Sequence, residues 1–247
     1  LSLERLDIGI LNSLTNLGLG LEGSVSGEAA LSSPMKTNPG LLMHLTCDST
    51  KVAGRTAGII TLSSTWDETS SRFHALSSND ISGKNTFLAD AYIDPSDGDI
   101  DATLSMAGLA LGYFQPILKS LFSSMGGAIS GDIKAKGKAG KFNISGAGTS
   151  FDSATMTLGF TGVPYLVDGP FHLDNEGLHF DQVSIKDRYE GRGEANGGIL
   201  FHDFKGIELD THIKMTDMEC LDTDSGQSFY GNVFASGSAD ISGPLNA

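Results

Sequence analysis

The sequence predicts an all-β protein built on one long antiparallel sheet, and three observations support this fold class. Glycine makes up 32 of the 247 residues, about twice its usual share of roughly 7%. Turn signals recur at short intervals along the chain. Apolar and polar residues alternate over several segments, as in strands with one buried face. No long linker interrupts the chain, so two units, residues 1–103 and 104–247, are predicted to share one continuous sheet.

An internal repeat defines the two units. Residues 23–29 (GSVSGEA) are echoed by residues 127–133 (GAISGDI), and a third, shorter echo (ISGP) lies at residues 241–244. Apolar residues three and four positions apart precede the first two copies, which predicts amphipathic helices over residues 3–17 and 104–121. Pro116 either kinks the second helix or lies in its first turn, over residues 114–124. Each unit is therefore predicted as a helix, a Ser-Gly turn and a series of strands.

Strands are clearest in the second half. Residues 207–216 alternate almost completely between apolar and charged or polar side chains, and residues 155–160 alternate as well. Leu178 and Phe180 share one phase, whereas Val183 and Ile185 have the opposite phase, which predicts a β-bulge near Gln182. Turns are predicted at residues 163–164, 168–170, 175–177, 190–191 and 196–198.

The first half gives weaker patterns. Strands are predicted over residues 41–47, 55–62, 73–76 and 86–93. Residues 63–71 and 77–85 are polar, and we expect them to be connections between strands.

Charge and cysteine content exclude several classes of function. Sixteen basic and thirty acidic residues give a net charge of −14, which repels phosphate backbones and argues against nucleic-acid binding. No segment is apolar and long enough to span a bilayer as a helix. Cys47 and Cys220 show no metal-binding spacing; they are either paired in an oxidising compartment or two partly buried free thiols.

Several residue clusters resemble metal-binding or catalytic sites, but their spacing favours a purely structural role. Residues 94–101 and 222–226 are rich in aspartate, but they do not fit the EF-hand spacing and are predicted to be solvated turns. His172 and His179 flank a turn and face each other across a predicted hairpin, without residues that complete a metal shell. With thirty carboxylates in the chain, a glycosidase-like pair of catalytic carboxylates is not excluded, but the sequence does not identify its two residues. We expect no enzymatic activity, no metal and no cofactor.

Three lysines, Lys134, Lys136 and Lys138, occupy alternate positions and would share one face of a strand. They either mark an exposed or edge strand that the lysines protect against unwanted pairing, or they contact anionic lipid headgroups.

Residues 104–245 resemble the C-terminal region of the TamB family, the translocation and assembly module proteins of diderm bacteria, which are relatives of AsmA-like proteins. The resemblance covers an ordered series of segments. These are the amphipathic segment ending at Met125, residues 131–137 (GDIKAKG), residues 165–179, residues 187–195 (DRYEGRGEA) running into 198–204 (GILFHDF), residues 229–231 (FYG) and residues 241–244. Residues 1–103 share only their predicted helix and the first copy of the repeat.

The resemblance implies a periplasmic protein whose full-length form is anchored in the inner membrane. Its sheet would curl into a U-shaped apolar trough, a β-taco, carrying one or two short amphipathic helices. Implied partners are phospholipid acyl chains, a TamA-like outer-membrane barrel protein of the BamA family, and nascent outer-membrane proteins. The family supplies no catalytic residues.

Three functions therefore follow as hypotheses. The first is a segment that binds or conducts phospholipid acyl chains between inner and outer membrane and supports outer-membrane biogenesis. The second is a chaperone-like scaffold for outer-membrane or autotransporter proteins that works through β-strand pairing. The third is a carbohydrate-active β-protein. For the first, the candidate groove-lining residues are Met156, Leu158, Phe160, Leu178, Phe180, Ile207, Leu209, Ile213 and Met215.

Overall fold

The computed structural model describes residues 2–14, 19–32, 40–138, 141–202, 206–224 and 229–244. These residues form an almost entirely β structure of fourteen strands, in which each strand lies next to its neighbours in the sequence. The pairs are antiparallel, for example β12 with β13 and β13 with β14. The all-β prediction, with one long antiparallel sheet, is confirmed.

The strands have the following bounds. They are β1 Ser2–Asp7, β2 Glu22–Ser32, β3 Gly40–Val52, β4 Arg55–Asp67, β5 Arg72–Asp80, β6 Phe87–Ile93, β7 Asp99–Ala110, β8 Phe122–Lys138, β9 Lys141–Leu158, β10 Pro164–Leu173, β11 Gly177–Lys186, β12 Arg192–His202, β13 Gly206–Thr223 and β14 Gly231–Pro244. Among the residues described, helical structure is limited to the 3₁₀ turns Ile8–Ile10 and Leu111–Phe114 and the single α-helical turn α1, Leu11–Leu14.

The chain forms two compact units. The first contains Leu1–Leu109 and Asp132–Ser145, and the second contains Ala110–Gly131 and Gly146–Ala247. The long strands β8 and β9 contribute residues to both units. The boundary predicted from the repeat, after residue 103, lies within β7.

The predicted helix over residues 3–17 is wrong for residues 3–7, which are strand; residues 8–14 form a 3₁₀ turn and one α-helical turn, and residues 15–17 lie outside the described residues. Leu3 and Leu6 belong to β1 and pair with Gly27 and Val25 of β2. The strand ends where the Asp7 carboxylate accepts the backbone N–H of Gly9 at 2.8 Å. A lone helix this short is marginal in water, whereas pairing with β2 satisfies the backbone groups of the segment.

The second predicted helix, over residues 104–121 or 114–124, is also wrong. Residues 104–110 belong to β7, and β8 begins at Phe122. Gly108 adopts φ = +75°, which interrupts any helix, and Pro116 lacks the N–H that a helix interior needs. The apolar spacing marks positions that are buried in a strand and in the following turns rather than on one helical face.

The four strands predicted in the first half are confirmed as β3, β4, β5 and β6. Three of them are longer than predicted, because β3 continues to Val52, residues 63–67 belong to β4 and residues 77–80 belong to β5. Serine and threonine are frequent in these extensions, so no alternation of apolar and polar residues reveals them in the sequence. Asn79 shows how the polar residues are satisfied, since its side chain accepts the backbone N–H groups of Thr86 and Phe87 at 2.9 and 3.1 Å.

Two of the predicted turns lie inside strands instead. Residues 168–170 are part of β10 and residues 196–198 are part of β12. Gly169 and Gly197 have φ = +134° and +120°, values that glycine adopts without steric cost. The turns predicted at residues 175–177 and 190–191 are confirmed as the β10–β11 and β11–β12 connections, and the turn near residue 163 joins β9 to β10.

A recurring bulge bends the sheet. In four strands a residue with positive φ leaves the ladder and donates its backbone N–H to a side chain on the following strand. The pairs are Arg5 to Ser26 at 3.0 Å, Ser153 to Asp168 at 2.6 Å, Gln182 to Asn196 at 2.9 Å and Asp217 to Ser236 at 2.8 Å. Such bulges bend a strand and increase its twist.

The three alternating lysines do not protect an edge. β8 lies between β7 and β9, so the edge-strand alternative is wrong, whereas the three lysine side chains are exposed as predicted. Lys136 and Lys138 form ion pairs with Asp101 and Asp97 at 2.8 and 3.0 Å. All four of these residues belong to the first unit.

A candidate apolar binding cavity

The second unit contains a partly open apolar cavity of about 140 Å³. Its walls are formed by Leu111, Leu118, Leu121, Phe122, Met125, Phe151, Met156, Leu158, Phe160, Tyr165, Val167, Leu178, Phe180, Val183, Ile185, Ala195, Ile199, Leu209, Thr211, Ile213 and Ile241. Only Tyr165 and Thr211 bring a polar side-chain atom to this set. The cavity is therefore chemically suited to a hydrocarbon.

The bulge at Gln182 allows both halves of β11 to face this cavity. Leu178 and Phe180 lie on one side of the bulge, and Val183 and Ile185 lie on the other, yet all four line the same space. The register with β12 shifts between Phe180 and Val183, and Gln182 has φ = +54°. The bulge predicted from the change of phase is confirmed. Without it, one pair of side chains would point away from the cavity.

Seven of the nine predicted lining residues border the cavity, namely Met156, Leu158, Phe160, Leu178, Phe180, Leu209 and Ile213. Ile207 and Met215, which flank this stretch of β13, do not. Phe160 lies in the β9–β10 turn and is 57% exposed, so it marks the mouth of the cavity.

Residues 111–121 cover one side of the cavity as a folded connection between β7 and β8. Leu111 and Leu121 are buried, Leu121 to 1% exposure. The segment is held by backbone hydrogen bonds from Leu121 and Phe122 to the Leu118 carbonyl, at 3.0 and 2.9 Å, and from Gly159 to the Leu121 carbonyl at 2.9 Å. It closes the apolar face of the strands although it is not a helix.

Contacts between strands that are not neighbours show that the sheet of the second unit curls. The Tyr165 hydroxyl on β10 donates to the backbone carbonyl of Glu219 on β13 at 2.8 Å. The backbone N–H of Asp222 donates to the Thr161 carbonyl in the β9–β10 turn, also at 2.8 Å. Burial raises the pKa of the Tyr165 hydroxyl above its usual value, so it remains a donor at any physiological pH. We call the two contacts, Tyr165 with Glu219 and Asp222 with Thr161, the seam. It closes one side of the cavity.

A buried polar network lies behind the seam. Asp187 is 5% exposed, and its carboxylate accepts the backbone N–H groups of Tyr189, Gly191 and Glu219 at 2.7, 2.8 and 2.6 Å. The fully buried carboxylate of Glu219 accepts from Arg188 at 2.7 Å and from Asn232. Hydrogen bonds to Glu219 and then Asp222 raise the pKa of Arg188. The network joins the β11–β12 turn to β13 and β14.

Thr211 contributes an unsatisfied polar atom to the cavity wall. The side chain is 8% exposed, and its Oγ1 has no hydrogen-bond partner among the described residues. A buried hydroxyl without a partner costs about 1–3 kcal/mol. A ligand that offers an acceptor at this position would remove that cost.

The described residues contain no group of three or more histidine, cysteine or acidic side chains arranged to hold a metal ion. His172 and His179 do pair across the β10–β11 hairpin, with ring centroids 6.3 Å apart. Asp94 caps its own turn by accepting the backbone N–H of Ser96 at 2.8 Å. The second aspartate-rich stretch, residues 222–226, lies partly outside the described residues.

The two cysteines are free and half-buried. Cys47 belongs to the first unit and Cys220 to the second. Burial, followed by the charge of Asp48, raises the pKa of the Cys47 thiol. Burial is also the main reason that the pKa of Cys220 is raised. Both thiols are therefore weak nucleophiles.

Sequence patterns did not reveal the seam. Tyr165, Asp187 and Glu219 are far apart in the sequence, and only the curl of the sheet brings them together. Thr211 lies in the alternating stretch 207–216, but that pattern does not show that its hydroxyl lacks a partner. The only sequence signal for Glu219 is an acidic residue within the mostly apolar run Met218-Glu219-Cys220-Leu221.

No helix of the described residues has the length and apolar character needed to cross a membrane. Comparison with protein-family models, curated proteins and solved structures finds no match to this chain.

Proposed function

We propose that the second unit binds the acyl chain of a phospholipid in its apolar cavity. The observation that carries this proposal is a concave space lined by apolar side chains from β8 to β14. Apolar pockets with very few polar groups are typical sites for small hydrophobic ligands. The seam on one side and residues 111–121 on another keep the space preformed.

The volume of the cavity determines how many carbons of the acyl chain it holds. A cavity of about 140 Å³ is close to the engineered 150 Å³ apolar cavity that stays dry and binds benzene. A segment of about six carbons therefore fits, and its transfer from water would contribute roughly 5 kcal/mol at about 0.8 kcal/mol per methylene. The rest of the acyl chain and the headgroup leave past Phe160.

The Thr211 hydroxyl supports a ligand that carries an ester. Its Oγ1 is buried and unpartnered, and the carbonyl oxygen of an acyl ester accepts a hydrogen bond from such a donor. A pure hydrocarbon would leave this hydroxyl unsatisfied.

Replacing Ala195 by methionine tests the cavity directly. Ala195 is buried and lines the cavity, so the longer side chain fills ligand space at a cost of about 1–3 kcal/mol in the free energy of unfolding, as insertions into a packed core have. We expect the affinity for cis-parinaric acid, measured by fluorescence, to fall about tenfold or more. Phospholipid recovered by solvent extraction and mass spectrometry should fall in parallel.

The matched control is the same substitution at Ala147, an exposed residue of β9 that lies outside the cavity. Ala147→Met should leave both readouts unchanged. Unchanged parinaric acid affinity in a folded Ala195→Met protein would show that the cavity is not the binding site.

Thr211→Val separates the role of the hydroxyl from that of the apolar wall. Valine has nearly the same shape and removes the unsatisfied oxygen, so the ligand-free protein should be as stable as the parent or more stable by up to about 1–3 kcal/mol. We expect weaker binding of an acyl ester, with little change for a hydrocarbon of equal length. Isothermal titration with both ligands measures the difference, and equal losses for the two would contradict the assignment.

The cellular role extends this proposal through the resemblance to the TamB family. We propose a periplasmic segment of a longer, inner-membrane-anchored protein that passes phospholipid toward the outer membrane with a TamA-like partner. The net charge of −14 suits a protein that holds acyl chains through apolar contacts and does not adhere to anionic membrane surfaces.

A further inference from the structure

Three strand connections of the second unit lie at the same rim of the sheet. They join β7 to β8, β9 to β10 and β11 to β12, and alternate connections of an antiparallel sheet fall at one end. Gly159 donates its backbone N–H to the Leu121 carbonyl at 2.9 Å. Asp222 donates its backbone N–H to the Thr161 carbonyl at 2.8 Å and pairs through its carboxylate with Arg188, also at 2.8 Å. These contacts hold the connections together, and we call residues 111–121, 159–163 and 187–191 the mouth rim.

Each connection of the mouth rim exposes a large apolar side chain. Ile117, Phe160 and Tyr189 are 39%, 57% and 56% exposed. Single apolar residues are common on protein surfaces, but these three come from separate connections that are held together at one rim. The β10–β11 turn, at the opposite rim, exposes Asn175 and Glu176 instead. One end of the second unit therefore carries an apolar surface, and the opposite turn is polar.

The apolar cavity opens at the mouth rim. Phe160 lines the cavity and marks its mouth, and Leu118 and Leu121 of the first connection line it as well. An acyl chain that enters or leaves past Phe160 therefore crosses this rim. Exposure of the chain to water is unfavourable, so exchange is favoured when the rim lies against a bilayer.

The charged groups near the rim suit a zwitterionic surface. Two ion pairs partly neutralise their own charges, namely Arg188 with Asp222 and Lys186 with Glu190. Lys119, and Asp224 at the end of β13, are exposed and have no ion pair in the described part of the chain. A phosphatidylcholine headgroup offers a phosphate to the lysine and an ammonium group to the aspartate. The net charge of −14 opposes binding to an anionic surface.

We propose that the mouth rim docks on the surface of a zwitterionic phospholipid bilayer. Ile117, Phe160 and Tyr189 insert among the headgroups, and the mouth of the cavity faces the lipids. Tyrosine suits this position because its ring is apolar and its hydroxyl stays hydrated. The purpose of docking rests on the proposed acyl-chain binding, but the surface is separate from the cavity, since Ile117 and Tyr189 do not line it.

Ile117→Ser combined with Tyr189→Ser tests the rim. Both side chains are exposed, so serine removes apolar area without opening a hole in the core. We expect the affinity for dioleoylphosphatidylcholine vesicles, measured by flotation, to fall about tenfold or more. The matched control is Leu76→Ser with Leu88→Ser, two exposed leucines of the first unit, which should leave vesicle binding unchanged. Circular dichroism checks that both variants are folded.

A fluorescent reporter shows which end of the second unit meets the bilayer. The tryptophan emission of Ile117→Trp should shift to shorter wavelength when vesicles are added, and dibrominated phosphatidylcholine should quench it. Glu176→Trp, at the opposite rim, should show neither change. Trp66 of the first unit contributes the same background to both variants.

Lipid composition distinguishes apolar insertion from electrostatic adhesion. Vesicles that contain phosphatidylglycerol should bind the protein less tightly than pure phosphatidylcholine vesicles, because the chain is acidic. Added salt should reduce this difference.

Three results would overturn the docking proposal. Equal vesicle binding by the parent and the double-serine variant would place the contact elsewhere. Stronger binding to phosphatidylglycerol vesicles would mean that charge attracts the protein. A dimer of the parent in sedimentation equilibrium, abolished by the double-serine variant, would assign the rim to a second copy of the chain.

Parinaric acid binding without vesicles separates this proposal from the acyl-chain cavity. The parent and the double-serine variant should bind parinaric acid equally. If the parent does not bind it, the cavity proposal fails, whereas rim-dependent vesicle binding still supports docking. If parinaric acid binds and vesicles do not, docking alone fails.

Discussion

Asp187→Ala is expected to lower the free energy of unfolding by about 3–5 kcal/mol. The carboxylate accepts three backbone N–H groups, from Tyr189, Gly191 and Glu219, at 2.6–2.8 Å. Alanine leaves these donors without a partner in a region closed to water, and each unsatisfied buried donor costs about 1–3 kcal/mol. Urea unfolding monitored by circular dichroism measures the loss.

Asp174 is the matched control because it caps the neighbouring β10–β11 turn in a similar way. It accepts the backbone N–H groups of Glu176 and Gly177 at 2.8 and 3.1 Å, but it is more exposed than Asp187, so water replaces the lost carboxylate. Asp174→Ala should cost about 1 kcal/mol. Asp187→Asn retains one carbonyl oxygen and should recover part of the loss. Similar losses of stability for Asp174→Ala and Asp187→Ala would show that burial of the network does not determine the cost of removing the carboxylate.

Leu121→Ala is expected to cost about 2–5 kcal/mol, as large-to-small changes in a packed core do. Leu121 is 1% exposed and anchors residues 111–121 over the cavity. The remaining side chains cannot fill the space, since the backbone is fixed by the hydrogen bond from Gly159 to the Leu121 carbonyl. The same urea titration gives the change in free energy.

Ile117 in the same segment provides the comparison. It is exposed, so Ile117→Ala should change stability by no more than about 0.5 kcal/mol. The Leu121→Ala variant should also bind parinaric acid with altered affinity, because the wall of the cavity has moved. Equal stability of the two variants would mean that residues 111–121 are a surface loop and do not close the cavity.

Local patterns predicted much of the sheet and part of the cavity wall. The change of phase between Phe180 and Val183 was sufficient to predict the bulge at Gln182, because side chains alternate strictly unless one residue is inserted. The same alternation predicted that Leu209 and Ile213 face one side. These features depend only on neighbouring residues, which is why the sequence reveals them.

Two kinds of pattern were ambiguous. Apolar residues three and four apart, as around Leu111 and Leu118, fit a helix as well as a strand followed by turns, and cross-strand pairing decided for the latter. Glycines such as Gly169 and Gly197 were interpreted as turns. Both glycines instead lie within strands, and the positive φ of Gly197 lets the Asp210 carbonyl approach closely.

The sequence by itself determined the all-β class, the strand-rich second half and most of the side chains that line the cavity, because period-two alternation is a local property. Only the tertiary structure decided that the sheet of the second unit curls until Tyr165 reaches Glu219. It also decided that Asp187 is buried and that Thr211 lacks a partner. These properties depend on the summed bending at bulges in separate strands, and on contacts between residues far apart in the chain. No single stretch of sequence carries that information.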